Sequence, residues 1–144
     1  MSLDSNTLRI VYMGTPEFAV APLQALHDSG FNIVGIVTVA DKPAGRGRKL
    51  QQSPVKTKSL ELGISILQPT NLKEERFVSQ LRALNADLFV VVAFRMLPEQ
   101  VWMLPRLGTF NLHGSLLPKY RGAAPLHWAV INGERQTGLT TFLL

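Results

Sequence analysis

Short apolar runs alternate along this chain with stretches in which apolar residues recur every three or four positions. Residues 8–13 (LRIVYM), closed by Gly14, and residues 33–39 (IVGIVTV) are the first two runs. Neither alternates cleanly with polar residues, which is the pattern of strands covered on both faces and so of a parallel sheet. Between them Ala19, Val20, Leu23, Leu26 and His27 fall at helical spacing, and Gly30 stands where a C-terminal cap belongs. Pro22 lies inside that stretch and either belongs to the first turn of the helix or kinks it.

Further along, residues 40–53 mix proline, glycine and basic side chains with little apolar content, and they predict a long exposed loop. Residues 54–62 predict a short helix closed by Gly63, 64–67 a small strand, 73–84 a clear helix and 88–93 (LFVVVA) the most strand-like run of all. A short helical piece at 98–103, a strand at 109–112, a loop at 114–122, a helix at 123–131 and a strand at 137–144 complete the series. Strands and helices in this alternation indicate a doubly wound α/β fold, a Rossmann-like open parallel sheet with helices on both faces. The last run, GLTTFLL, reaches Leu144 without a turn, a cap or a polar tail, so the chain is expected to stop inside its last strand.

The 144 residues are the size of one ordinary domain, in which folding buries roughly two-thirds of the chain surface. No apolar run approaches the about 18 residues that a membrane span needs, and residues 1–6 lack the basic and apolar segments of a secretory signal. These features point to a cytoplasmic globular protein. With no cysteine there is no disulfide, thiol nucleophile or cysteine-based zinc site, and three scattered histidines do not by themselves make a metal site. Net charge is +5, but its distribution says more: Lys42, Arg46, Arg48, Lys49, Lys56 and Lys58 accompany the single acid Asp41 in one segment. Such a segment is a candidate phosphate-facing surface.

Two places carry candidate chemistry. The first strand leads into Met13-Gly14-Thr15-Pro16-Glu17-Phe18, a strand-to-helix turn where open α/β sheets bind ligands. It lacks the three glycines of a dinucleotide fingerprint, and Glu17 near the helix start repels a pyrophosphate. It is either a tight turn capped by Thr15 or the wall of a substrate pocket. The second place is the run from Phe110 to Gly122. Asn111 and His113 are two apart on a strand and so share a face, where an amide and an imidazole N–H can polarise one carbonyl and stabilise the oxyanion formed on attack. The plainer alternative is a core histidine beside a turn-forming asparagine. His27 and His127 read as structural residues, and Trp102 and Trp128 as packing residues.

Asn111-Leu112-His113-Gly114-Ser115-Leu116-Leu117-Pro118-Lys119-Tyr120-Arg121-Gly122 resembles the signature of the folate-dependent formyltransferases. The resemblance implies that Asn111 and His113 are catalytic, that Ser115, Leu116, Leu117 and Pro118 contact tetrahydrofolate, and that 10-formyltetrahydrofolate is the cosubstrate with no metal involved. Met13-Gly14-Thr15-Pro16-Glu17-Phe18-Ala19, the run Asp41-Lys42-Pro43-Ala44-Gly45-Arg46-Gly47-Arg48-Lys49-Leu50 and Ser53-Pro54-Val55-Lys56 are similar to the branch of that family acting on methionyl initiator tRNA in translation initiation. Phe94-Arg95 departs from the Tyr-Gly common in that branch. The resemblance implies tRNA contacts from Lys42, Arg46, Arg48 and Lys49, the glycines letting Arg46 reach a groove while the other cations neutralise phosphates. It further implies that residues 1–144 are an incomplete amino-terminal catalytic domain, inactive alone, without the aspartate that orients the histidine and without the carboxy-terminal tRNA-binding domain. Formylation of an amino-sugar nucleotide, or a non-catalytic folate- or tRNA-binding module, are the alternatives.

Overall fold

The apolar runs become strands in the computed structural model, which describes residues 7–47, 49–113 and 140–144. In chain order the elements are β1 (Arg9–Gly14), α1 (Val20–Asp28), β2 (Asn32–Val37), β3 (Lys42–Ala44), β4 (Lys49–Gln51), α2 (Pro54–Leu62), β5 (Ile66–Leu67), α3 (Glu75–Ala83), β6 (Leu88–Val92), α4 (Glu99–Trp102), β7 (Thr109–His113) and β8 (Thr140–Leu143). A 3-10 turn at Glu17–Ala19 precedes α1. The predicted loop at 114–122 and helix at 123–131 lie outside the described residues.

Unbroken apolar strands need cover on two sides, and the core is divided accordingly. Val11, Met13, Val37, Phe89 and Val91 point to one face of the sheet, where Phe77, Val78 and Leu81 of α3 and Val101 of α4 close over them. Ile10, Tyr12, Ile36, Val90 and Val92 point to the other, against Leu23 of α1 and Val55 of α2. Each such side chain contributes about 1.5–3 kcal/mol when fully buried, more than the about 1 kcal/mol net of a typical hydrogen bond, so the two apolar layers hold the sheet.

Among the described residues the sheet runs in the order β5-β2-β1-β6-β7-β8, and its first five strands are parallel. The predicted open parallel sheet is borne out in these five strands, and β8 adds an edge strand antiparallel to β7, with Asn111 opposite Phe142 and His113 opposite Thr140. An antiparallel edge strand on a parallel sheet is common, and an apolar run carries no mark of its direction.

Other boundaries follow local chemistry. Pro22 sits in the first turn of α1, where its missing N–H leaves no bond unmade. Ser53 caps α2 by accepting from the Lys56 backbone N–H at 3.0 Å, Pro54 occupies the first helical position, and Gly63 ends the helix at φ 70°. Thr15 does not cap: Pro16 and Ala19 stand at the helix starts, and neither makes a side-chain cap bond. The segment read as a loop at 40–53 contains the antiparallel hairpin β3–β4. At the amino edge of the sheet Asp87 accepts from the Arg9 backbone N–H at 2.9 Å and the Arg106 Nε at 2.7 Å. These two donors, the Arg9 amide first, hold its carboxyl below the usual carboxylate range.

Candidate active site at the carboxyl edge

From β1 the chain builds outward through β2 to β5, then returns to place β6 on the other side of β1. The reversal falls between β1 and β6, and open α/β sheets take ligands beyond the carboxyl ends of the strands at such a point. The backbone packs tightly there. A Cβ on Gly14 would lie 2.7 Å from the Val92 carbonyl oxygen and 2.8 Å from the Ala19 Cβ, so only glycine lets β1 turn here. Beneath it the buried Tyr12 hydroxyl donates to the Ala19 carbonyl at 2.6 Å, which fixes the 3-10 turn, and burial pushes the phenol's pKa up.

Beyond β6, Ala93 adopts φ 51°, a left-handed conformation that costs a non-glycine residue of order 1–3 kcal/mol. It turns the chain into Phe94, Arg95 and Met96. Arg95 donates to the Thr70 and Pro69 carbonyls at 3.0 and 2.8 Å and lies 5.3 Å from the Phe94 ring centroid, so its guanidinium pins this loop to the segment after β5. Met96 is left 93% exposed at the sheet's carboxyl edge.

β7 supplies the candidate catalytic pair. Thr109 is buried and its hydroxyl donates to the Trp102 carbonyl at 2.8 Å, so Thr109 and Asn111, two apart on the strand, share the α4 side, while Leu112 packs on the α1–α2 side. Asn111 is half-buried, and none of the described residues shares a hydrogen bond with its amide. The backbone of His113 ends the strand, but its side chain lies outside the described part, as do Ser115, Leu116, Leu117 and Pro118. Asp87 sits at the opposite edge of the sheet, bound by its two arginine partners, and takes no part. His27 is exposed on the last turn of α1, and Trp102 packs against the core. Among the described residues no three His, Asp or Glu side chains gather as a metal site would require.

The basic segment is more ordered than its composition suggests. Lys42 pairs with Gln51, Pro43 with Leu50 and Ala44 with Lys49. Directly opposed and alternate positions share a face, so Lys42 and Lys49 project to one side of the hairpin, and Pro43 and Leu50 to the other. Gly45 and Gly47, at φ 72° and 90°, turn the chain on both sides of Arg46, which is exposed at the tip. Arg48 lies outside the described residues. Lys56 and Lys58, counted with the basic segment from sequence, are instead paired with Asp41 at 2.7 Å and Glu61 at 2.8 Å. Lys42, Arg46 and Lys49 enter no ion pair among the described residues.

Sequence reasoning missed the contacts that root this hairpin. Asp41 accepts from the Lys56 Nζ at 2.7 Å and the Gln68 Nε2 at 2.8 Å, and Gln68 also donates to the Val39 carbonyl at 3.1 Å. The Thr38 and Ser53 hydroxyls hydrogen-bond across the two legs at 2.7 Å. The lone acid in a basic segment was the available signal.

A doubly wound sheet with an Asn-x-His strand at its carboxyl edge defines a class, and the chain belongs to the formyl transferase family, whose sequence profile matches residues 8–144. Within that family, the methionyl-tRNA formyltransferase of Bacteroides thetaiotaomicron is 65% identical over 142 residues, which cover 99% of this chain and 44% of that protein. That of Parabacteroides distasonis is 64% identical over 143 residues, again 99% of this chain and 44% of that protein. The chain thus spans less than half the length of the curated relatives it matches. Among solved structures, phosphoribosylglycinamide formyltransferase from Streptococcus pneumoniae superposes with a TM-score of 0.74 at 16% identity over 96% of this chain and 74% of its own. A formyltetrahydrofolate deformylase from Pseudomonas syringae pv. tomato gives 0.69 at 20% identity, covering 95% and 46%. These two share the fold.

Proposed function

We propose that this chain carries the formyl-transfer edge of an enzyme that moves a formyl group from 10-formyltetrahydrofolate to the α-amino group of methionine on initiator tRNA. The observation that carries the reading is the 65% identity along 142 residues to a methionyl-tRNA formyltransferase, which runs through the hairpin as well as β7. The fold alone does not choose a substrate, since structural neighbours at 16–20% identity act on others.

In this reading the attacking amine adds to the formyl carbon, and the formyl oxygen takes up negative charge at the carboxyl end of β7. The Asn111 amide and a protonated His113 donate to that oxygen, and collapse of the tetrahedral intermediate breaks the bond between the formyl carbon and N10 of the folate, which leaves as tetrahydrofolate with the proton that the amine gives up. Ser115, Leu116, Leu117 and Pro118 contact the tetrahydrofolate. Lys42, Arg46, Arg48 and Lys49 meet the tRNA, the cations neutralising phosphates and the Arg46 fork reaching between them. Residues 1–144 form the amino-terminal part of the catalytic region, with the carboxylate that orients His113 and the tRNA-holding domain contributed from outside them. The setting is the cytoplasm, where initiator tRNA is charged and used.

The test is an assay of the full protein its gene encodes, with 10-formyltetrahydrofolate as donor and both methionyl initiator tRNA and an amino-sugar nucleotide as acceptors. Formylated methionyl-tRNA is the expected product. Formylation of the amino sugar alone would overturn the substrate and leave the family in place.

A further inference from the structure

The hairpin β3–β4 is two three-residue strands standing apart from the main sheet, and an isolated two-stranded hairpin is only marginally stable in water. Its exposed Leu50, 68% accessible, and the open space around Gly45 and Gly47 show that little packs against the arm itself. Its order therefore comes from its root. There the two oxygens of Asp41 are both engaged, Oδ2 by the Lys56 ammonium in the first turn of α2 and Oδ1 by the Gln68 amide just beyond β5. The first leg of the hairpin is thereby tied to a helix and a strand of the main fold. The second leg runs straight into Ser53, whose hydroxyl caps α2 and bonds Thr38 across the root. The ion pair is largely shielded, with side-chain exposures of 16% for Lys56 and 23% for Asp41, so solvent and salt weaken it less than a surface pair.

We infer that Asp41, Lys56 and Gln68 form a positioning clasp that sets the angle of the basic hairpin to the carboxyl edge of the sheet, and that opening it weakens RNA binding although none of the three touches RNA. The inference rests on the reading of the hairpin as a tRNA contact. When the arm is held, Lys42, Lys49 and Arg46 are presented together toward one strand of phosphates; when it swings, only a fraction of molecules present them so. Apparent affinity falls in proportion to that fraction, so an arm correctly placed a tenth of the time binds about tenfold more weakly.

Charge gives the test its sign. Asp41→Ala removes an acid and raises the net charge of +5 by one unit, so a simple electrostatic role predicts tighter RNA binding, whereas the clasp predicts weaker binding. Lys56→Met removes a cation and lowers affinity on either account, but the two accounts differ for the pair. Independent charge effects cancel in Asp41→Ala/Lys56→Met, while one shared clasp leaves the double variant as weak as either single variant. Binding is measured by titrating the full chain into a labelled RNA minihelix carrying the initiator tRNA acceptor stem. Arm position is read separately: the chain has no cysteine, so Leu50→Cys and Leu60→Cys accept a spin-label pair reporting the distance from the hairpin to α2.

The expected result is about tenfold weaker binding for Asp41→Ala, no further loss in the double variant, and a broadened label-to-label distance in both. Gln68→Leu, which removes one neutral donor and keeps the ion pair, gives a smaller loss of the same kind and serves where Asp41→Ala proves unstable. Binding that tightens or stays level in Asp41→Ala and Gln68→Leu, with Arg46→Ala still weakening it, overturns the clasp and leaves the hairpin's RNA contact standing. If Arg46→Ala also leaves binding unchanged, the RNA reading of the hairpin itself fails, and the clasp's role with it.

Discussion

Gly14 shows how a single residue type decides the shape of the candidate site. A methyl group there meets the Val92 carbonyl oxygen at 2.7 Å, a backbone atom held in the β1–β6 ladder, and so cannot be relieved by a side-chain rotation. Gly14→Ala is therefore expected to destabilise the fold by about 1–3 kcal/mol, the usual cost of overpacking, and urea unfolding monitored by circular dichroism measures it. A variant as stable as the parent would mean that β1 and β6 approach less closely than described. The sequence marked Gly14 as the end of a strand, but the neighbour that requires glycine lies on a strand placed beside it by the fold. Asn111 was legible for the opposite reason, since its relation to position 113 depends only on strand alternation. Thr15 looked like a cap because of its residue type, and the 3-10 turn starting at Pro16 leaves it no role as one.

At the scale of the element, the helices and the central strands were read closely because their signals are local. Ser53, Pro54 and Gly63 delimit α2 with a cap, a first-turn proline and a left-handed end, all visible in the sequence. The hairpin was not visible, because Lys-Pro-Ala and Lys-Leu-Gln contain none of the β-branched alternation that marks a strand. What orders it is the root, and the root has a predictable response to acid. The Lys56 ammonium, followed by the Gln68 amide, holds the Asp41 carboxyl below its ordinary value of 3.8. A depressed folded-state value means that the bond's contribution is complete above the unfolded value and disappears as pH falls through the folded one. The hairpin is thus expected to stay clasped at neutral pH and to loosen only below about pH 3.8, as followed by carboxyl-detected NMR of Asp41. Titration of that carboxyl above its ordinary value would show that Lys56 does not engage it.

Across the whole molecule the division of labour follows the sheet. At its amino edge Asp87 accepts from the Arg9 backbone N–H and the Arg106 Nε. Its carboxyl edge gathers the Gly14 turn, the Ala93–Met96 loop, the end of β7 and the root of the hairpin. The doubly wound architecture was legible because both faces of each central strand are apolar, whereas the antiparallel direction of β8 was not, because direction leaves no trace in composition. The central claim is that chemistry and RNA holding occupy separate places on this edge, and steady-state kinetics of two variants of the full protein its gene encodes test it most directly. Asn111→Ala is predicted to lower kcat by about 100- to 1,000-fold with little change in KM for methionyl-tRNA, the cost of losing one oxyanion donor. Arg46→Ala is predicted to raise that KM with kcat nearly unchanged. If Arg46→Ala leaves KM untouched, or Asn111→Ala leaves kcat untouched, the account is contradicted.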